Sequence, residues 1–283
     1  MVDHNHCGIS AESVEQTEDW QAFLQHRLSQ QQRLAQRYEQ AGRFVWIKRA
    51  APLRSPWRYW AQGALARVLG FAWLRPVSTR MGGPASLAVE VRRLRQLASA
   101  GVRVPHVLAV QVDGFVMDEL GTHSIMDVLD ASLASGATER ILPAWRSGLE
   151  ALGALHDTGN CLSQAFCRNM VIGDAGQIGF IDFEDDPQAV LPLALCQVRD
   201  VMCYAQSGAL QLLVSGGMTE AQSIWHAWLQ QRPVPVQAEV ARAVRRLGWL
   251  RHLPADRRWG HDTQRVKAAY LLLSGADVTG QTP

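Results

Sequence analysis

Asn169 and Asp182 each adjoin a short apolar run, Met170-Val171-Ile172 and Ile178 to Ile181, with a Gly-containing turn between the runs. Two short strands joined by a turn make a hairpin, so an Asn and an Asp beside them can project oxygen ligands into one space. Hard cations such as Mg²⁺ take oxygen ligands, usually one or two carboxylates supplemented by phosphates. The chemistry suggested is that of a metal-bound nucleotide. Upstream, Phe44-Val45-Trp46-Ile47 is apolar, aromatic and β-branched, which predicts a strand ending in Lys48. Residues 84–100 carry Leu87, Val91, Leu94 and Leu97 near helical spacing, with Glu90 set among arginines. By spacing alone Glu90 reads as one half of a solvated pair with Arg92 or Arg93.

The order strand-Lys, helix-Glu, strands, helix, Asn, Asp resembles the protein-kinase-like superfamily, nearest to its small lipopolysaccharide-kinase-like members. Val45-Trp46-Ile47-Lys48 is similar to the V-A-I-K strand, Asn169 to the Asn of the catalytic loop, and Asp182-Phe183 to the start of D-F-G. The resemblance is strongest over residues 44–205. It implies an α+β, bilobal protein-kinase-like fold with a small sheet-containing N-lobe and a mostly helical C-lobe. It also implies ATP and Mg²⁺ as cofactors: Lys48 on the phosphates with Glu90 paired to it, backbone groups near Asp118 and Glu119 on the adenine edge, and Asn169 and Asp182 on the metal. An Asp at position 200 would anchor the catalytic-loop backbone.

Three departures bear on catalysis. Leu162-Ser163-Gln164 stands where the family has His-Arg-Asp, Glu184 replaces the Gly of D-F-G, and no Gly-rich loop precedes Lys48. Gln164 occupies the position of the catalytic base, and an amide takes no proton at any reachable pH. Glu184, Asp185 or Asp186 could substitute, and Arg168 could offset charge on the transferring phosphate. Two functions follow: a phosphotransferase acting on a sugar, lipid-linked glycan or protein hydroxyl, or a pseudokinase that binds and regulates without transfer.

The elements that must position these residues are predicted as follows. Residues 1–19 form a flexible N-terminus, with His4, His6 and Cys7 close together in it. An N-lobe spans 20–117, beginning with a helix from Trp20 to Gln40 that Gly42 closes. Asp113-Gly114 joins two strands, Val107 to Val112 and Phe115 to Met117. The C-lobe spans 118–283: helices at Ser124 to Leu133 and Arg140 to Asp157, the catalytic-type hairpin within 160–187, then a buried helix from Leu191 to Gly208. Helices over 219–231, 236–252 and 263–274 complete it. In that buried helix, Arg199 and Asp200 must be paired or face the site, because an isolated buried charge is very costly.

Residues 52–83 exceed what the Lys48–Glu90 connection needs. They read as a helix with Trp57, Trp60 and Trp73 on one face and Arg54, Arg58, Arg67 and Arg75 at its edges. Such a helix either docks on the lobe or lies in a membrane interface, which would make residues 54–75 a peripheral inner-membrane contact. Net charge is only +2, so no strongly acidic partner is indicated, and no nucleic-acid or Zn motif occurs. The five cysteines include no C-x-x-C pair and read as reduced thiols of a cytoplasmic protein. No apolar run approaches the ~18 residues of a membrane span.

Overall fold

The computed structural model describes residues 11–40, 42–52, 70–76, 82–253 and 261–275. The protein is α+β. Its described residues form eight helices and seven strands, the strands in two antiparallel sheets. The larger sheet has the order β1-β2-β4-β3, from β1 (Ala35–Gln40), β2 (Arg43–Arg49), β3 (Val107–Gln111) and β4 (Gly114–Asp118). The smaller holds β5 (His123–Ser124), β6 (Met170–Ile172) and β7 (Ile178–Phe180).

Alternation along β2 decides what the larger sheet does. Val45 and Ile47 are fully buried on one face, where they meet Val116, Ala109 and Phe23 and Leu24 of helix α1 (Ala11–Gln30). Trp46 and Lys48 therefore emerge on the other face, as the period of two requires. Helix α2 (Gly83–Ser99) follows and packs through Leu87, Val91, Leu94 and Leu97. Pro84 at its first turn suits the missing N–H of that position.

The expected helix from Trp20 to Gln40 is two elements. Helix α1 starts earlier, at Ala11, and stops at Gln30; residues 35–40 pair with β2 as strand β1, from Ala35 opposite Lys48 to Gln40 opposite Arg43. Tyr38 would sit on the apolar stripe of a helix running on to Gln40. It instead folds back from β1 and packs edge-on against Phe23, with ring centroids 6.0 Å apart. Gln31 marks the break, donating from its side chain to the Arg33 and Ile47 carbonyls. Gly42, at φ +71°, turns the β1–β2 hairpin and does not cap a helix.

Beyond β4 the chain becomes helical. Helix α3 (Ile125–Ser135) opens on a capping box in which Ser124 and Asp127 satisfy each other's backbone N–H groups. The remaining helices are α4 (Ile141–Asp157), α5 (Leu193–Val214), α6 (Met218–Gln230), α7 (Val234–Arg246) and α8 (His261–Ser274). Helix α5 runs through the core, with Val198, Val201, Ala205 and Leu212 buried. Tyr204 stacks on Trp145 of α4. Helix α5 is one turn and more longer than the predicted Leu191 to Gly208, and the predicted 236–252 helix ends at Arg246 before a separate 3-10 turn, Gly248–His252. Gly121 is dictated by close approach: a Cβ there would lie 2.2 Å from the Ile172 carbonyl oxygen, so only Gly lets the β4–β5 connection press onto β6.

Of the Trp/Arg-rich stretch, Trp57, Trp60, Arg54, Arg58 and Arg67 lie outside the described residues, as do His4, His6 and Cys7. Its far end is docked. Phe71 and Trp73 are buried in the main core beside α5, and Arg199 donates to the carbonyl of Arg75 at 3.1 Å. Trp73 therefore does not contribute to a membrane-facing surface. Cys161, Cys167, Cys196 and Cys203 are free thiols. Among the described residues no helix is long and apolar enough to cross a membrane.

Candidate functional site

A cleft of about 400 Å³ separates the two sheets. Lys48 enters it from β2. Its Nζ lies 2.6 Å from Glu90 Oε1 and 2.9 Å from Asp182 Oδ1, tying the first sheet, helix α2 and the segment after β7 together. Glu90 is 3% exposed, so its sequence-level alternative as a solvated partner of Arg92 or Arg93 is excluded. Those arginines have other partners: Arg93 is fully buried and donates to the Cys161 carbonyl, and Arg92 reaches Asp186 at 3.1 Å.

Burial alone would lower the Lys48 pKa, but the attraction of Glu90 and Asp182 and their hydrogen bonds outweigh it, and the net shift is upward. Glu90 is also pushed upward, first by desolvation and further by the neighbouring Asp182 and Glu184 charges, against the lowering pull of Lys48. This has a testable consequence. In Lys48→Met the Glu90 carboxylate loses its counter-ion, and its pKa rises further. A group with a raised folded-state pKa is least unfavourable below its unfolded value and loses stability as pH climbs through the folded one. The variant should therefore be destabilised by about 3 kcal/mol near neutral pH and by clearly less near pH 5. Thermal unfolding of both proteins across that range checks it; an equal deficit at every pH would show that Glu90 does not carry the effect.

Asp182 has φ +73°, in the left-handed region that a non-glycine residue seldom occupies. Asp tolerates it better than most residues, and the conformation directs the carboxylate to Lys48 while the next residue, Phe183, turns inward to 1% exposure. Phe183 N donates to Glu90 Oε1 at 3.3 Å. Asn169 sits at the end of a 3-10 turn, Cys167–Asn169, and its Nδ2 donates to the Gln164 carbonyl at 3.0 Å. That bond leaves Asn169 Oδ1 as the acceptor end. Asn169 and Asp182 both line the cleft, so the hairpin brings the two predicted metal ligands to one wall. Hard oxygen donors of this type fit Mg²⁺.

The segment before Asn169 is held from below. Asp200, fully buried, accepts from Leu162 N at 2.6 Å and Ser163 N at 2.7 Å, and His156 Nε2 stands 3.2 Å away. Arg199 Nε donates to the Ser163 carbonyl at 3.1 Å. The charged pair inside an apolar helix is thus resolved by backbone partners, and Ser163 is kept at φ +88°.

Other predicted residues are distributed unequally. Arg168 lines the cleft, its guanidinium over the Phe166 ring at 4.3 Å. Gln164 stands behind Asn169, and its Nε2 donates to Asp185 Oδ2 at 3.2 Å. Glu184 is off this cleft: it lies beyond Lys48 beside Gly83 and Ser86, with its carbonyl accepting from Ser86 Oγ at 3.3 Å. Asp118 lines the cleft, but its N–H donates to the His106 carbonyl and that of Glu119 to the Phe44 carbonyl, so these two amides are engaged within the fold.

One feature had no sequence signal. Glu119 is bidentate to Arg37, both bonds 2.7 Å, and accepts from Trp46 Nε1 at 3.0 Å; the Arg37 bond first of all lowers its pKa. The indole of Trp46, where the V-A-I-K pattern has a small Ala, is thereby locked as a wall of the cleft. Period-two reading of β2 places Trp46 on the Lys48 face, but the Arg37–Glu119 clamp joins residues too far apart in the chain to be paired by pattern. Asp185, one of the candidate substitute bases, is 1% exposed and set against Gln164.

Compared with protein-family models and with curated proteins, the chain matches none.

Proposed function

We propose that the cleft binds a Mg²⁺–nucleoside triphosphate and transfers its terminal phosphoryl group to a hydroxyl, in a bilobal protein-kinase-like fold. The observation that carries this is Lys48 Nζ bridging Glu90 and Asp182 in a cleft that Asn169 also lines. Phosphoryl transfer has a loose transition state and is catalysed mainly by positioning and charge stabilisation. Lys48 would hold phosphate oxygens, and Arg168 at the cleft wall would meet charge developing on the transferring group. Asn169 and Asp182 would hold Mg²⁺, which when bound neutralises phosphate charge. A sugar, a lipid-linked glycan or a protein side chain would supply the hydroxyl.

A second reading, a pseudokinase acting as a regulatory or scaffold protein, is favoured by one observation: Gln164 stands in the base position, its side chain tied to Asp185. Calorimetric titration of Mg²⁺–ATP, followed by phosphate-release assays, separates the possibilities. Metal-dependent binding with turnover supports the transferase, and binding without turnover supports the pseudokinase. Turnover gained only in Gln164→Asp would also favour the pseudokinase. Absence of binding at any Mg²⁺ concentration would overturn both.

A further inference from the structure

We infer that the outer face of helix α7 and the 3-10 turn after it seats the protein on an anionic lipid surface, with Trp249 in the interface and Arg242 and Arg245 on lipid phosphates. This stands apart from the nucleotide reading. Residues 234–253 divide into two faces. Val236, Val240, Ala243 and Leu250 are buried and Leu247 packs on the core, at spacings of four, three, four and three that run through α7 into the turn. Leu247 N still donates to the Ala243 carbonyl, so the chain stays helical across the junction. Val234, Ala238, Ala241, Arg245 and Trp249 therefore share the opposite face, and all are exposed, Val234 at 75% and Trp249 at 55%.

A helix face left in water ordinarily carries charged and polar residues of both signs. This one carries aliphatic side chains, an indole and positive charge. Residues 234–253 hold four arginines against one acid, Glu239. That carboxylate reaches only Arg242, at 3.4 Å, in an exposed pair that neutralises little. Arg245, one turn before Trp249, has no acidic partner among the described residues, and Arg251 donates to His252 Nε2 at 2.9 Å, which leaves its charge uncompensated. Indole at an apolar–polar boundary with guanidinium beside it is the composition that holds a helix among headgroups, where Arg binds phosphate oxygens. A single-stranded nucleic acid would instead call for several stacking rings along a basic track, and this face has one ring among aliphatic groups. A second observation points the same way. Arg246, at the edge of the stripe, donates to the Gly70 carbonyl at 2.8 Å. Gly70 is where the Trp/Arg-rich stretch, whose sequence pattern suits a membrane interface, joins the described fold, so that stretch is tethered at this same end of the molecule.

The probe is co-sedimentation of the full chain with vesicles of phosphatidylcholine alone or mixed equally with phosphatidylglycerol. The mixed vesicles should bind at least about 10-fold more tightly, and raising salt to about 0.5 M should remove most of that advantage. Arg245→Glu should weaken binding to them by roughly 10- to 30-fold and Trp249→Ser by roughly 5- to 10-fold. Both side chains are exposed, so both variants should melt with the wild type. Lipids brominated in their acyl chains should quench the fluorescence of wild type more than that of Trp249→Ser, which reads insertion of this indole directly. If Trp249→Ser lowers the melting temperature, Arg245→Glu and the salt dependence decide. Equal binding to the two vesicle types, or undiminished binding in both variants, overturns the inference. So does a protein that ignores vesicles, whether it retains a single-stranded oligonucleotide or forms a dimer that Trp249→Ser dissociates; the face would then serve nucleic acid or a second copy of the chain. Calorimetry with Mg²⁺–ATP on the same variants keeps the two readings distinguishable, since neither substitution lies near the cleft.

Discussion

Asp182→Asn is expected to weaken Mg²⁺-dependent ATP binding by about 100-fold, roughly 2.7 kcal/mol, while the protein stays folded. The substitution keeps the side chain's size and removes the charge that would face the metal. It also removes one of the two carboxylates on Lys48, but Glu90 remains at 2.6 Å, and Asp182 is a third exposed, so the stability change should stay within about 1 kcal/mol. Asp182→Gly makes the complementary test. Glycine relieves the φ +73° backbone and supplies no ligand, so it should lose the same affinity with an unchanged or slightly raised melting temperature. Calorimetry with and without Mg²⁺ reads both variants. Full affinity in either would remove Asp182 from the metal site.

Asp200→Ala is expected to have the largest effect on stability. It would strand the N–H groups of Leu162 and Ser163, both buried, and leave His156 without its carboxylate. Each unsatisfied buried donor costs about 1–3 kcal/mol, and breaking a buried charged cluster about 3–5 kcal/mol in all. For a domain of this size, about 2–4 °C per kcal/mol gives a drop of roughly 6–20 °C. Asp200→Asn should fall in between, since its oxygen still serves one N–H while its NH₂ confronts the other. Differential scanning calorimetry measures the series. A drop under about 2 °C for Asp200→Ala would mean that water or a neighbouring group replaces the carboxylate, and that the segment carrying Gln164 is not held from this side.

These expectations differ in how far the sequence foretells them. The elements that carry Lys48, Glu90, Asn169 and Asp182 were legible as a strand of period two, a helix with a Leu and Val stripe and a hairpin with a Gly turn, while the grouping of the four came from the resemblance. Local pattern also indicated that Arg199 and Asp200 needed partners, since charges inside a buried helix leave few alternatives. The same local reasoning failed over residues 31–40. There the apolar spacing could not distinguish a continued helix from a chain that returns as a strand, although only the return lets Tyr38 reach Phe23. Pairing of β1 with β2 decided it, and that is a contact between segments.

The sequence by itself determined the α+β class and the order of the elements that carry the candidate site. Tertiary structure alone decided which of the candidate acids reach the cleft. Glu184 is turned toward the α2 side, Asp185 is enclosed against Gln164, and Glu119 is drawn to Arg37 and Trp46. The physical reason is common to all three. A side chain's direction is set by local backbone geometry, which sequence pattern reports. Its partner is set by which distant segment packs opposite, and hydrogen bonds such as Arg37–Glu119 or Lys48–Asp182 exist only once that packing has formed.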